Sequence, residues 1–301
     1  MKIIPHRGLS IVLLVLLGLL WGSGYTIARY CMTNGVAPLG YAFWQSLGPA
    51  VLMLIVVIVA KLPFEFSKQH IRYYIACGIL GIAIPNTIIY FTAAHIPSGI
   101  LTVLINTVPL IILPLAILLG QERANPLRVG LVTLGFVGIT LTIASNLDLP
   151  TLQSVPWTMI ALLAPLCFAL CAVIIGKYRP DNSHSLSLSL GMLIVSSLCL
   201  VPITLSMGEF HSLLPLDNLA NLLMVLEIFL SGLGYIVLFI LIRIAGPVYY
   251  SLVGGIASIV GLTWGSVFFG ETLNHVAMIG VSCIVLAVCL LTLTVGKKTS
   301  Q

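Results

Sequence analysis

The chain has 301 residues, 59% of them hydrophobic and only 7% charged, with a formal net charge of +5 and a mean hydropathy of +1.17. A typical soluble domain carries roughly 25% charged residues, so this composition cannot cover a soluble surface and excludes a water-soluble globular protein. The positive charge is too sparse and too scattered for a nucleic-acid face, and it reads instead as loop charge that orients membrane spans.

Continuous apolar runs of about 20 residues read as spanning helices rather than the short alternating strands of a barrel. In chain order the runs place helices at 9–29, 39–60, 72–93, 98–119, 127–145, 156–176, 185–206, 219–242, 248–269 and 274–295. The first run follows Lys2 and Arg7, but no Ala-x-Ala cleavage pattern follows it, so it reads as a span rather than a secretory signal. The third and fourth spans are separated by Ala-His-Ile-Pro-Ser-Gly at 94–99, where Pro and Gly punctuate an otherwise unbroken apolar stretch. The fold class is therefore all-α and polytopic, with about ten transmembrane helices.

With the N-terminus placed in the cytoplasm, twelve of the 13 Lys and Arg residues fall on the cytoplasmic side and only Arg29 falls opposite. That distribution follows the positive-inside rule and puts both termini in the cytoplasm. The seven cysteines show no metal-ligand spacing, and all but Cys31 lie within apolar runs. No cofactor or metal is expected.

An internal repeat runs at an offset of 150. Gly120 pairs with Gly270, Gly130 with Gly280, Pro97 with Pro247, and Leu141-Thr142 with Leu291-Thr292. The division expected is a first five-helix repeat at 1–148 and a second at 149–301. Five is odd, so the halves cross the membrane in opposite senses. Inverted repeats of this kind characterise secondary transporters, with the substrate site near the midplane between the halves.

Several polar residues sit inside the spans. Trp21, Tyr25 and Arg29 follow one another at i, i+4 and i+8 along the first helix, beside Gly18 and Gly22. They form either an aromatic wall that ends in a guanidinium for a substrate carboxylate, or an interfacial belt with a snorkelling Arg. Trp44 and Gln45 lie in the second helix, Asn86 and Tyr90 in the third, Asn106 in the fourth, Tyr235 in the eighth and Trp264 in the ninth. Glu227 is the acidic residue well inside a span, with Ser231 and Tyr235 continuing its face. An ionisable group at that depth should face the interior. It reads either as a proton-coupling carboxylate or counter-charge for a substrate amine, or as a structural hydrogen-bonding group. His95, in the turn before the fourth helix, reads as a surface residue.

Trp-Gly-Ser-Gly-Tyr at 21–25, and Gly270-Glu271 followed by Gly280, resemble signatures of the EamA family of the drug/metabolite transporter superfamily, and the duplicated five-helix plan is similar over nearly the whole chain. In the first half the signature Glu is displaced, with Gln121 at its position and Glu122 following. The sixth helix reads Phe168-Ala169-Leu170-Cys171-Ala172 in place of the Trp-Gly motif. The resemblance implies two inverted five-helix repeats around a central cavity, and transport of small metabolites without ATP. No Walker A sequence or metalloprotease pattern is present, and residue 21 is Trp where a rhomboid Gly-x-Ser-Gly would need Gly. The function expected is a secondary carrier of small organic metabolites, amino acids or related zwitterions first and amine-bearing compounds second. A membrane enzyme or receptor subunit is the competing class. The expected partners are a small-molecule substrate, a coupling proton and the lipid bilayer of a bacterial inner membrane, with no nucleic acid. The expected state is a monomer or weak homodimer.

Overall fold

The computed structural model describes residues 7–118, 125–145, 154–181, 183–245, 250 and 253–296, and those residues are helical or lie in the turns between helices. Among the described residues ten helical rods follow in chain order. They are α1 (Arg7–Thr33), α2 (Pro38–Val59), α3 (Lys68–Ala93), α4 (Ser98–Ile105 with Val108–Leu118), α5 (Pro126–Ser145), α6 (Ser154–Ala161 with Leu163–Tyr178), α7 (Ser185–Ser206), α8 (Leu219–Ala245), α9 (Val253–Phe269) and α10 (His275–Gly296). Seven of these are long and apolar enough to cross a bilayer, and α5, α9 and α10 are shorter apolar helices.

The prolines explain where rods bend. Pro85 would clash with the carbonyl four residues earlier, and a π-turn at Ile79–Ala83 absorbs the mismatch without ending α3. In α4 the helix stops at Asn106 and restarts at Val108, just before Pro109. In α6 the break at Leu162 falls one turn before Pro165.

The helix pairings obey a two-fold exchange of the halves. Helix α2 packs on α7, α4 on α9 and α5 on α10. The contacts of α1 with α8 and α9 are mirrored by those of α6 with α3 and α4, and α2 with α8 by α7 with α3. Two related bundles of five helices must cross the membrane in opposite senses, which is the inverted repeat. Gly120, Gln121, Glu122, Pro247, the proposed boundary at 148/149 and both termini lie outside the described residues.

Two boundaries differ from the expectation by a full turn, and both matter. Helix α1 runs a full turn beyond Arg29, so that residue is inside a helix rather than at its end. Helix α3 starts earlier than residue 72, at Lys68, capped by the Ser67 hydroxyl, which accepts from the His70 N–H. His70 itself is buried, its ring nitrogens hydrogen-bonded to the Ser67 and Ser183 hydroxyls at 2.7 and 2.8 Å.

Small residues set the closest crossings. A Cβ at Gly18 or Gly22 would overlap Ile256, Ala257 or Val260 of α9, and one at Gly261 would overlap Thr102 of α4. With lipid tails as apolar as the helices, close van der Waals approach is what holds such pairs together.

Candidate functional site

The site is built where α1, α2, α3 and α8 converge. Helix α8 starts at Leu219, so Glu227 sits about 12 Å along it at 1.5 Å per residue. Its carboxylate is buried, with 7% of the residue exposed. Gly24 makes that possible, because a Cβ there would overlap Glu227 Oε1 and lie 3.0 Å from its Cδ. The second glycine of the Trp-Gly-Ser-Gly-Tyr stretch is thus a notch that admits a carboxylate from the other half of the molecule.

The Ser231 hydroxyl, one turn along α8, donates to Glu227 Oε1 at 3.0 Å and lies 3.3 Å from Gln45 Oε1. Other polar atoms there have no hydrogen-bond partner among the described residues. Glu227 Oε2, Gln45 Nε2 and the Tyr41 hydroxyl are all buried and unbonded. An unpaired buried polar atom costs free energy. One acceptor and two donors left open together are what a bound polar solute would satisfy. Tyr25, Tyr41 and Tyr90 lie within electrostatic reach of the carboxylate, and Tyr41 and Tyr90 meet edge to face at 4.6 Å.

Deeper along α8, Trp21 packs edge-on against Tyr235 and Tyr250, with ring centroids at 6.4 and 6.2 Å. Gly234 leaves room for the indole, since a Cβ there would overlap its Nε1. The result is a carboxylate at one end and an aromatic box at the other. Between the ends of α1 and α8 a cavity of about 210 Å³ opens, lined by Tyr30, Asn34, Val36, His211, Asn218 and Ala220, among others.

Of the residues the sequence singled out, Trp21, Tyr25, Gln45, Tyr90, Glu227 and Tyr235 come together here. Asn86 lies half-buried one turn before Tyr90. Others are placed elsewhere. The Trp44 indole N–H donates to the His211 carbonyl at 2.8 Å, in a cluster with Phe43 and Phe210. The Trp264 indole N–H donates to the Ser23 hydroxyl at 2.9 Å. Asn106 ends the first segment of α4 and donates back to the Thr102 carbonyl at 2.8 Å, with its amide oxygen toward Gly254.

Arg29 departs from both of its expected readings. Its guanidinium pairs with Glu271, donates to the Ile96 carbonyl at 3.3 Å and lies 4.8 Å from the centre of the Phe269 ring. It neither points to the Glu227 site nor snorkels. His95 stacks flat on Trp157 at 3.8 Å, and partial loss of solvent lowers its pKa from 6.5.

The residues that sequence reasoning underused are Gly24, Tyr41, Gly234 and Tyr250. Tyr41 precedes Gln45 by one turn, a spacing that could have flagged it. Gly24 and Gly234 carry no such signal, because their role is the space they leave.

The two halves are not chemically equivalent. At the α6–α3 seam, the image of α1–α8, the Cys171 thiol faces Cys77 and the Cys77 carbonyl. Two thiols meet in that seam, while a glycine meets a carboxylate in the other.

The model of the EamA-like transporter family matches residues 8–144 and again 155–293. The chain belongs to the EamA-like transporter family. Two matches in tandem agree with the two-fold pairing of its helices, and the protein is a polytopic membrane transporter of that family. It is 28% identical over 206 residues to Protein PecM of Dickeya dadantii (strain 3937), covering 68% of each chain. It is 26% identical over 282 residues to the uncharacterized inner membrane transporter YedA of Escherichia coli (strain K12), covering 91% of this chain and 88% of that one. A solved crystal structure aligns over 96% of this chain and 98% of its own with a TM-score of 0.63. Their identity of 13% makes that a likeness of fold alone.

Proposed function

We propose that this EamA-like transporter is a secondary carrier of small zwitterionic or amine-bearing metabolites, amino acids foremost, and that Glu227 receives the substrate ammonium. The observation that carries this reading is the set of unpartnered buried atoms around Gly24. Glu227 Oε2 is an open acceptor, and Gln45 Nε2 and the Tyr41 hydroxyl are open donors. A zwitterion satisfies both kinds: its ammonium binds the carboxylate, and its carboxylate takes the two neutral donors. The aromatic faces of Trp21, Tyr25 and Tyr235 suit the remainder of the molecule, because a π-face attracts a cation and an apolar body alike. With Arg29 held by Glu271, a free guanidinium is not part of this scheme, which also suits amines that lack a carboxylate.

Glu227 can hold a proton or a substrate ammonium but not both at full strength. That competition couples solute movement to a proton, and the carrier reading needs no ATP. The halves at 1–148 and 149–301 rock about the shared site, exposing it on alternate sides of an inner membrane with both termini cytoplasmic. Neither reading of the site needs a second copy of the chain.

The test is counterflow and gradient-driven uptake in proteoliposomes, with a panel of amino acids, decarboxylated amines and carboxylates. Zwitterions and amines are expected to exchange and carboxylates without an amine are not. A panel in which simple carboxylates are favoured would overturn the assignment of Glu227. Glu227→Gln is expected to abolish proton-gradient-driven uptake and the pH dependence of exchange, while the protein still elutes as a folded species.

A further inference from the structure

Helix α1 carries the notch of the site, and its two sides are held by different chemistry. On the α4–α9 side, Glu271 takes Arg29 and also caps the start of α4. Its carboxylate accepts from the Ser98 N–H at 2.8 Å, the Ser98 hydroxyl at 3.1 Å and the Gly99 N–H at 3.1 Å. A carboxylate at a helix N-terminus meets unsatisfied N–H groups and the positive end of the helix dipole. Arg29 adds a charge-assisted bond and a ring contact, with the side chains only 21% and 10% exposed. Below this clasp, Gly18 and Gly22 press directly on α9. Breaking it would strand a half-buried charge on each side.

The α1–α8 side holds no such charge pair among the described residues. At its outer end the Cys31 thiol, a weak donor, reaches the Ala220 carbonyl at 3.6 Å, and deeper in the seam Gly24 packs on the Glu227 carboxylate. The 210 Å³ cavity opens beside the helix ends there, and Ala220 is part of its wall. Both seams are packed deeper in the bundle, but at their outer ends one is clasped by charge and the other meets through a thiol beside a cavity.

We propose that Arg29 and Glu271 are positioning residues that moor α1 to α4 and α9, so that the site opens along the α1–α8 seam with Cys31 at its lip. The proposal rests on the carrier reading, but its test needs no substrate. The full-length protein is reconstituted with its other six cysteines replaced by alanine, and alkylation by a membrane-impermeant maleimide added on the Asn34 side is followed by mass spectrometry. One version keeps Cys31. The other has Cys31→Ala with Val260→Cys, which reports on the clasped seam because Val260 faces Gly22.

Cys31 is expected to react about tenfold faster than the cysteine at 260, since local opening governs the reactivity of a buried thiol. Arg29→Ala should narrow that difference, and Arg29→Lys should keep it. A purely structural clasp would let both rates rise together in Arg29→Ala. Equal rates with the clasp intact, an unlabelled Cys31, or an Arg29→Ala protein with the wild-type ratio would each overturn the mooring. Absence of flux for every solute in the panel would instead sink the carrier reading, and leaves these labelling rates as they are.

Discussion

Gly24 shows how much one residue can decide. Its value lies in the missing Cβ, which leaves the place that the Glu227 carboxylate fills. Gly24→Val therefore meets a carboxylate in a packed helix interface, where overpacking typically costs about 1–3 kcal/mol. The expected outcome is a folded protein with a melting temperature a few degrees lower and with exchange activity lost, read by thermal shift and by counterflow on the same preparation. Wild-type exchange in Gly24→Val would show that the notch is not part of the site. His95 supplies a pH effect of known sign. Its folded pKa is lowered by partial desolvation against Trp157. The unfolded chain then binds more protons below about pH 6.5, so stability falls as the pH drops through that range. His95→Gln should flatten the fall of melting temperature as the pH drops below about 6.5. The opposite slope would contradict the assignment.

At the scale of elements, the helices are shaped by what they must let past. The π-turn before Pro85 keeps α3 continuous through a proline, whereas α4 gives way at Asn106 before Pro109. The glycines follow a similar logic. Gly261 admits Thr102 and Gly280 admits Thr142, so α4–α9 and α5–α10 approach backbone to backbone. Gly261→Leu would have to push α4 away from α9 along its whole contact. Loss of monodisperse protein in size exclusion is expected, with a stability cost of about 1–3 kcal/mol if any folds. A mutant as stable as the parent would mean that the crossing tolerates several ångströms of separation.

For the whole molecule, the two-fold plan holds while the chemistry is one-sided. The helix pairings exchange cleanly between halves, yet a carboxylate faces a glycine in one seam and two thiols meet in the other. The scaffold is duplicated so that two related seams exist, and the buried carboxylate occupies only one of them. The topology leads to a direct expectation. Reporter fusions at both termini should score as cytoplasmic, and a reporter in the turn at Asn34–Gly35 should score on the opposite side. Termini on opposite sides would break the even count of spans.

The sequence by itself determined the class and the count. A charge content of 7%, apolar runs near 20 residues and one-sided Lys and Arg leave few alternatives to a ten-helix membrane protein, because each is a local property that the bilayer tests span by span. It also singled out Glu227, since an acidic residue deep in an apolar run has a cost that can be read without coordinates. Tertiary structure decided which polar residues share a site. Trp21, Tyr25, Gln45, Tyr90, Glu227 and Tyr235 come from four helices far apart in the chain, and helical spacing reports only which face of its own helix a residue occupies. Nor could spacing foresee that Arg29, one turn beyond Tyr25, would be taken by Glu271 from a turn 242 residues away. Pairing across such a distance depends on which helix ends the fold brings together.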